Sequence, residues 1–248
     1  MCTLVILRRP GHDWPLILAA NRDEMAGRPW KGPGRHWPER REVVGGIDLE
    51  SEGSWLARND HGVVAAVLNR VGTLGPAPGK RSRGELVLEA VDHADAGAAA
   101  MAMADLDPAA WRPFNLVVAD NASAWWVASR EGARAVVVER VPEGLNMLTA
   151  RELNDTSSPR IARYRPLFRH AAEPDPAAGD WAGWQALLAD RSSDTDEFGA
   201  MCIVSDSGFG TLSSSLVALP APGAEDPRGH WLFADGPPDA APYVPVED

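Results

Sequence analysis

The chain opens on a short apolar run, residues 3–7, followed by the turn cluster Pro10-Gly11-His12-Asp13 and a second apolar run at 16–20. Short runs of this kind, bounded by turn formers, read as a hairpin of buried strands. Four polar residues, Asn21-Arg22-Asp23-Glu24, follow directly, and the stretch 28–41, rich in Pro, Gly, Arg and Trp, reads as an irregular loop. A second hairpin is predicted where residues 54–57 and 63–68 flank Asn59-Asp60-His61-Gly62 and end at Asn69-Arg70. Residues 72–79 form a flexible, Gly-containing loop.

From Ser82 the period lengthens. Leu86, Val87, Ala90, Val91 and Ala94 recur at helical spacing, with Glu85, Glu89 and Asp92 on other faces. Ser82 and Glu85 have the spacing of a capping box, and the helix is expected to run on toward Met103. Strand-type runs return at 114–118, 124–128, 135–138 and 145–149. Two shorter helices, 161–170 and 181–189, precede three last strands at 200–204, 212–219 and 231–234. The Pro-rich segment 236–248 is expected to pack loosely, as chain ends do. There is no internal repeat, and the chain reads as a single domain over 1–248. Several strands are apolar on both faces, which requires a cover on each. The expected architecture is therefore α+β, a four-layer αββα sandwich of two mainly antiparallel sheets with helices outside.

Composition narrows the function. Hydrophobic residues at 45% and charged residues at 24% are ordinary globular usage and exclude a disordered or fibrous chain. A net charge of −11 argues against nucleic acid and against an anionic membrane surface, both of which need clustered cations. No apolar run approaches the roughly 20 residues of a membrane span. The first residues lack the basic segment and cleavage site of a secretory signal, so a cytoplasmic location is expected. Two cysteines, Cys2 and Cys202, make neither a disulfide framework nor a zinc set. No Gly-x-Ser-x-Gly elbow, Walker loop or dinucleotide fingerprint is present.

Cys2 is the most informative residue. Cysteine is small enough for aminopeptidase removal of Met1, which would leave one residue carrying a thiol and a free α-amine. Their reference pKa values, about 8.5 and about 7.7–8.0, make proton exchange between them cheap near neutrality. Nucleophile and base would then sit in the same residue. The alternative is a thiol that merely packs as a small hydrophobe, which is the reading for Cys202 in its apolar run. The second hairpin strand could bring Asn21-Arg22-Asp23-Glu24 beside Cys2, where a carboxylate can orient the amine and an arginine can stabilise a thiolate or a substrate carboxylate. Asn69, at a strand end, can donate to a developing oxyanion. Otherwise these are a solvated strand end and a turn former.

Taken in order, Met1-Cys2-Thr3-Leu4, Ala19-Ala20-Asn21-Arg22-Asp23-Glu24, Gly45-Gly46-Ile47-Asp48, Gly53-Ser54-Trp55-Leu56, Arg83-Gly84-Glu85-Leu86-Val87 and Phe114-Asn115-Leu116, with an echo at Phe209-Gly210-Thr211, resemble the NRDE family, also called the transport and Golgi organisation 2 family. The resemblance implies an N-terminal-nucleophile (Ntn) hydrolase-like fold and distant kinship to cysteine amidases such as bile salt hydrolase and penicillin V acylase. It casts Cys2 as nucleophile, Asp23 as the contact of its amine and Asn69 as a lining of the oxyanion hole. Asn21, Arg22 and Asn154 join as substrate-binding candidates. The amidases place an arginine three residues before the aspartate, where this chain has Ala20, and an asparagine after a Leu-Thr pair, where it has Ala150, the next asparagine being Asn154. The implied activity is hydrolysis or transfer at a linear amide or acyl bond of a small-molecule substrate, with no metal or cofactor. The alternative is a non-enzymatic carrier of haem or an acyl metabolite in the same cleft, haem trafficking being associated with animal members of the family. His36, among Trp30 and Trp37, and His230, beside Trp231, are the conceivable axial ligands. The paired tryptophans Trp125-Trp126 and Trp181/Trp184 suit core packing.

Overall fold

The computed structural model describes residues 2–247, apart from the side chain of Glu197. The expected loss of Met1 therefore concerns a residue outside the described ones. The strands are β1 Thr3–Arg8, β2 Leu16–Met25, β3 Trp30–Gly34, β4 Val43–Asp48, β5 Leu56–Asn59 and β6 Val64–Asn69, then β7 Phe114–Ala119, β8 Ala124–Ser129, β9 Val137–Arg140 and β10 Gly144–Leu148, and last β11 Phe209–Leu219, β12 His230–Ala234 and β13 Tyr243–Pro245. Helices α1 Gly84–Val91 and α2 Ala96–Ala104 separate β6 from β7, and α3 Pro159–His170 and α4 Ala182–Leu188 separate β10 from β11.

Two antiparallel sheets form, in the orders β10-β1-β2-β11-β12-β13 and β3-β4-β5-β6-β7-β8-β9. The layering follows from strand alternation, because successive side chains leave opposite faces. Leu4, Ile6, Leu18 and Val217 of the first sheet meet Val64, Ala66, Leu68 and Val117 of the second between the sheets. Their neighbours Val5, Leu7, Ile17 and Leu216 point the other way, under Ile161, Tyr164, Phe168 and Trp184 of α3 and α4. Ala65, Leu116 and Val118 are covered in the same way by Leu86, Val87, Ala90 and Ala99 of α1 and α2. The result is the expected four-layer αββα sandwich. No helix among the described residues is long and apolar enough to cross a membrane.

Several boundaries differ from the sequence expectation. The polar box at 21–24 continues β2, because β11 supplies a partner along its whole length, from Leu16 opposite Leu219 to Met25 opposite Phe209. The stretch 28–41 contains β3, paired to β4 with a register break between Lys31 and Gly34. The single helix expected from Ser82 is two helices. Asp95 caps the second, accepting from the Ala98 N–H at 2.7 Å, which restarts the helix at Ala96. Only half of the capping box forms: Glu85 accepts from the Ser82 N–H at 3.1 Å, while the helix begins after Arg83. Residues 200–203 are buried and Val204 is exposed, but the segment forms no strand. Their backbone is tied to side chains and loops, with the Met201 carbonyl accepting from Asn21 at 2.9 Å and the Cys202 N–H donating to the Asp190 carbonyl at 3.0 Å. Within 236–248, expected to pack loosely, β13 pairs with β12 at the sheet edge. Tyr243 there donates to Ser214 at 2.7 Å, and Asp239 pairs with Arg191.

Candidate functional site

Strand register brings the motif residues together. Thr3 lies opposite Asn21, so Cys2, one residue earlier, meets the Arg22-Asp23 segment, and its Sγ donates to the Asp23 backbone oxygen at 3.6 Å. In the facing sheet, β6 ends at Asn69, opposite Phe114. Cys2, Arg22, Asp23 and Asn69 all line one cavity of about 230 Å³ at this end of the sandwich. Among the described residues no group of three or more His, Cys, Asp or Glu is arranged to hold a metal ion.

The faces of β2 carry different chemistry. Asp23 faces the helical layer, where its carboxylate accepts from Arg160 Nη1 at 2.9 Å and from Thr211 Oγ1 at 2.7 Å. The same Arg160 nitrogen donates to Thr3 Oγ1 at 2.6 Å. Arg160 stands in the first turn of α3, where the helix dipole disfavours a cation, so its buried charge depends on Asp23. Thr211 reaches Asp23 because β11 shifts register between Thr211 and Ser213, opposite Asp23 and Arg22. Bulges recur beside functional sites because the extra residue re-aims a side chain.

Arg22 lies on the other face, between the sheets. Its guanidinium stacks 4.3 Å from the Trp55 ring centroid and 5.5 Å from that of Trp30. Trp55 can lie there because Gly46 has no side chain: a Cβ at that position would sit 2.2 Å from the indole. Arg22 Nη2 is 3.5 Å from Asp48, but Arg28 grips that carboxylate with two hydrogen bonds. Burial works against ionisation of Asp48, and the bonds from Arg28 and from Ser51 outweigh it, holding its pKa low. Ala20 packs toward the same intersheet core. Ala20 stands where the resemblance expects an arginine; Arg22 lies two residues along the same face of β2, at a different position.

Cys2 is half-buried. Burial pushes its thiol pKa up, the Asp23 charge pushes it further, and Arg22 pulls against both. The resting group is a protonated thiol, as its bond to a carbonyl oxygen requires. Burial lowers the pKa of Arg22. Arg83, also on the cavity wall, is lowered to about 10, first by burial and then by the neighbouring charge of Arg112.

Two expected site residues do not line this cavity. Asn21 alternates to the helical face, where its amide donates to the Leu188 and Met201 carbonyls at 3.0 and 2.9 Å and accepts from Ser214. Asn154 occupies a left-handed turn with φ +63° and exchanges hydrogen bonds with Met147 and Asn146 of β10. Neither lines the 230 Å³ cavity, although Asn21 lines a smaller pocket together with Cys2, Thr3 and Arg22. His36 Nε2 donates to the Gly32 carbonyl at 2.8 Å, and the His230 ring meets that of Trp14 at a tilt of 52°. Neither of these lines the cavity either. Sequence reasoning missed Arg160, Thr211, Trp55 and Arg83 as parts of the site, although Thr211, Trp55 and Arg83 lie inside the motifs it singled out. Arg160 carried only the helix-start signal Ser158-Pro159 and nothing to show that it is buried.

Residues 1–216 match the family described as Transport and Golgi organisation 2. The human transport and Golgi organization protein 2 homolog is 26% identical over 257 residues, covering 89% of this chain and 85% of its own. The Bos taurus homolog is 34% identical over 110 residues, 42% of this chain and 38% of its own. Among solved structures, a Caenorhabditis elegans ortholog of N-acylethanolamine-hydrolyzing acid amidase superposes with TM-score 0.60 at 11% identity, covering 91% of this chain and 95% of that one. A variant of conjugated bile acid hydrolase from Clostridium perfringens superposes with TM-score 0.54 at 11% identity, covering 100% and 97%. At such identities the likeness is one of fold, and that fold is the Ntn-hydrolase αββα sandwich. With the Cys2 end of both sheets, the Asn-Arg-Asp-Glu box and the strands that carry them all inside the matched span, the chain belongs to the transport and Golgi organisation 2 family.

Proposed function

We propose that the protein is an N-terminal-cysteine hydrolase or acyltransferase acting on a linear amide or acyl bond. The observation that carries this reading is the meeting of Cys2 with Asp23 and Asn69 around one cavity. The solved neighbours named as amidase and hydrolase lend support through fold alone. Once Met1 is removed, the α-amine of Cys2 takes the thiol proton, and Sγ adds to the carbonyl carbon of the substrate. The amide of Asn69 donates to the oxygen that gains negative charge. Collapse breaks the bond to the leaving nitrogen, oxygen or sulfur, which takes the proton from the α-ammonium, and a thioester to Cys2 remains. Water, or an acceptor nucleophile, then gives its proton to the amine and displaces Sγ, regenerating the thiol. Asp23, locked by Arg160 and Thr211, orients the amine without changing its own bonding.

The raised thiol pKa fits this scheme, because a buried thiol next to a carboxylate needs a local base to become a nucleophile. The test is intact mass and turnover together. Mature protein incubated with a panel of short-chain thioesters and anilides, both neutral and carboxylate-bearing, should show a transient mass increase equal to one acyl group on Cys2. Cys2→Ser should abolish turnover with melting temperature nearly unchanged. Turnover that survives Cys2→Ser, or a processed protein that neither acylates nor turns over any of the panel, would defeat the enzymatic reading.

A further inference from the structure

The chain carries a net charge of −11, yet the cavity at Cys2 has a cationic wall. Arg22, Arg28, Lys80, Arg81, Arg83 and Arg112 line it, against the carboxylates Asp23, Glu24 and Asp48. Much of this charge is spoken for. Arg28 is paired with Asp48 and Glu50, and Arg81 with Glu85 and Glu89. Asp23 is paired with Arg160.

Three guanidiniums remain. Arg83 donates to the carbonyls of Thr73, Gly75 and Pro113 and to the Thr73 hydroxyl, all neutral groups. Arg112 donates to the carbonyls of Gly72, Leu74, Gly75 and Pro76, also neutral. Arg22 is 6% exposed, and its Nη1 is buried with no hydrogen-bond partner. Its nearest carboxylate, Asp48, is already held in two bonds by Arg28. A guanidinium does not discharge by losing its proton at physiological pH, so burying one without an anion costs free energy until an anion arrives. The stacking of Arg22 on Trp55 and Trp30 fixes its plane, so little side-chain entropy remains to be lost on binding. The lowered pKa of Arg83 has a like origin: burial and the charge of Arg112 outweigh the pull of Glu24.

We infer that the cleft is an oxyanion seat, in which Arg22, with Arg83 and Arg112 behind it, receives a carboxylate or phosphoryl group of the ligand beside Cys2. The claim that this ligand is also the acyl substrate rests on the hydrolase reading. The binding claim does not. Under both, the substrate is an acyl compound bearing a negative charge close to the bond that is cleaved, and neutral amides are poor substrates.

The seat is tested without turnover, on the whole protein, by two readouts: melting temperature and the rate of Cys2 alkylation by neutral iodoacetamide. Inorganic phosphate and succinate are titrated separately, each against sodium chloride at matched ionic strength. One or both anions should raise the melting temperature and slow alkylation saturably, beyond the chloride control. Which of the two does so identifies the phosphoryl or the carboxylate source. Arg112→Gln and Arg83→Gln should each weaken the effect about tenfold, the loss expected for one charge-assisted bond. Arg22→Gln should abolish it. If neither anion differs from chloride in wild-type protein, the proposal is overturned whatever the variants do. If an anion binds but the Arg22 and Arg83 variants bind it equally well, the seat lies elsewhere and the assignment is overturned. A separate turnover comparison of acetyl and succinyl thioesters then speaks to the hydrolase reading: anion binding with no turnover of either ends that reading and leaves the seat standing.

Discussion

Cys2 keeps its proton near neutrality because its thiolate would be desolvated and would face the Asp23 carboxylate, with Arg22 alone among the neighbouring side chains pulling the other way. The two neighbours therefore act with opposite signs. The pH dependence of iodoacetamide labelling should inflect on the alkaline side of the ordinary thiol value of about 8.5. Arg22→Gln removes a stabilising positive charge and should move the inflection up. Asp23→Asn removes a destabilising negative charge and should move it down. Labelling curves that shift in the same direction for both variants would contradict this electrostatic account. The sequence placed Cys2, Asp23 and Asn69 near one another through the hairpin, the strand end at Asn69 and the family resemblance, and all three line one cavity. The partners that lock Asp23 were not legible in it. Arg160 is far from Asp23 in the chain, and only the packing of α3 on the first sheet joins them. Asn21 stays out of the larger cavity for a related reason: alternation decides which face a residue takes, and it sends the amide to the helical layer although its neighbour Arg22 enters the cleft.

At the scale of elements, the strands with apolar cores were readable, and those made of glycine and polar residues were not. β4 contains Gly45 and Gly46, which have no hydrophobic signal. Their reason is steric, because a Cβ on Gly45 would meet the Ala57 Cβ at 2.7 Å and one on Gly46 would meet the Trp55 ring. The polar end of β2 is held as strand by β11, a partner that enters nearly two hundred residues later, so no local pattern could announce it. The Gly46 contact gives a prediction about how one strand supports another's side chain. Gly46→Ala should displace the Trp55 indole, cost about 1–3 kcal/mol through overpacking, and loosen the Arg22 stack. Gly27→Ala is the control, since a Cβ there has nothing within 4 Å. Urea melts should separate the two variants by that amount, and phosphate or succinate protection of Cys2 should fall in the Gly46 variant alone. Equal stability of the two would show that Trp55 moves aside freely.

Over the whole molecule, the site lies where the first sheet meets a helix that enters the chain late. One buried network joins Thr3 of β1, Asp23 of β2, Arg160 of α3 and Thr211 of β11. Such a network fastens the helical layer to the sheet and fixes the strand end beside Cys2. Its energetics should be those of a coupled buried pair. Asp23→Asn leaves the Arg160 guanidinium buried with a neutral partner, and Arg160→Met leaves the Asp23 carboxylate buried with Thr211 but without its cation. Either change breaks the pair from one side, which costs about 3–5 kcal/mol. The double variant has neither charge, and a methionine in place of arginine keeps most of the volume, so its loss should be well below the sum of the two. Residues that act independently add to within about 0.3–0.5 kcal/mol, so chemical denaturation of the four proteins in the cycle separates the cases cleanly. A large coupling would mean that α3 is held to the first sheet through the same carboxylate to which the proposed mechanism gives the Cys2 amine. Mutations in α3 would then reach the chemistry at Cys2 without touching the cleft. Additive losses would mean that the fold holds the strand ends by apolar packing alone, leaving Asp23 to serve the amine and nothing else.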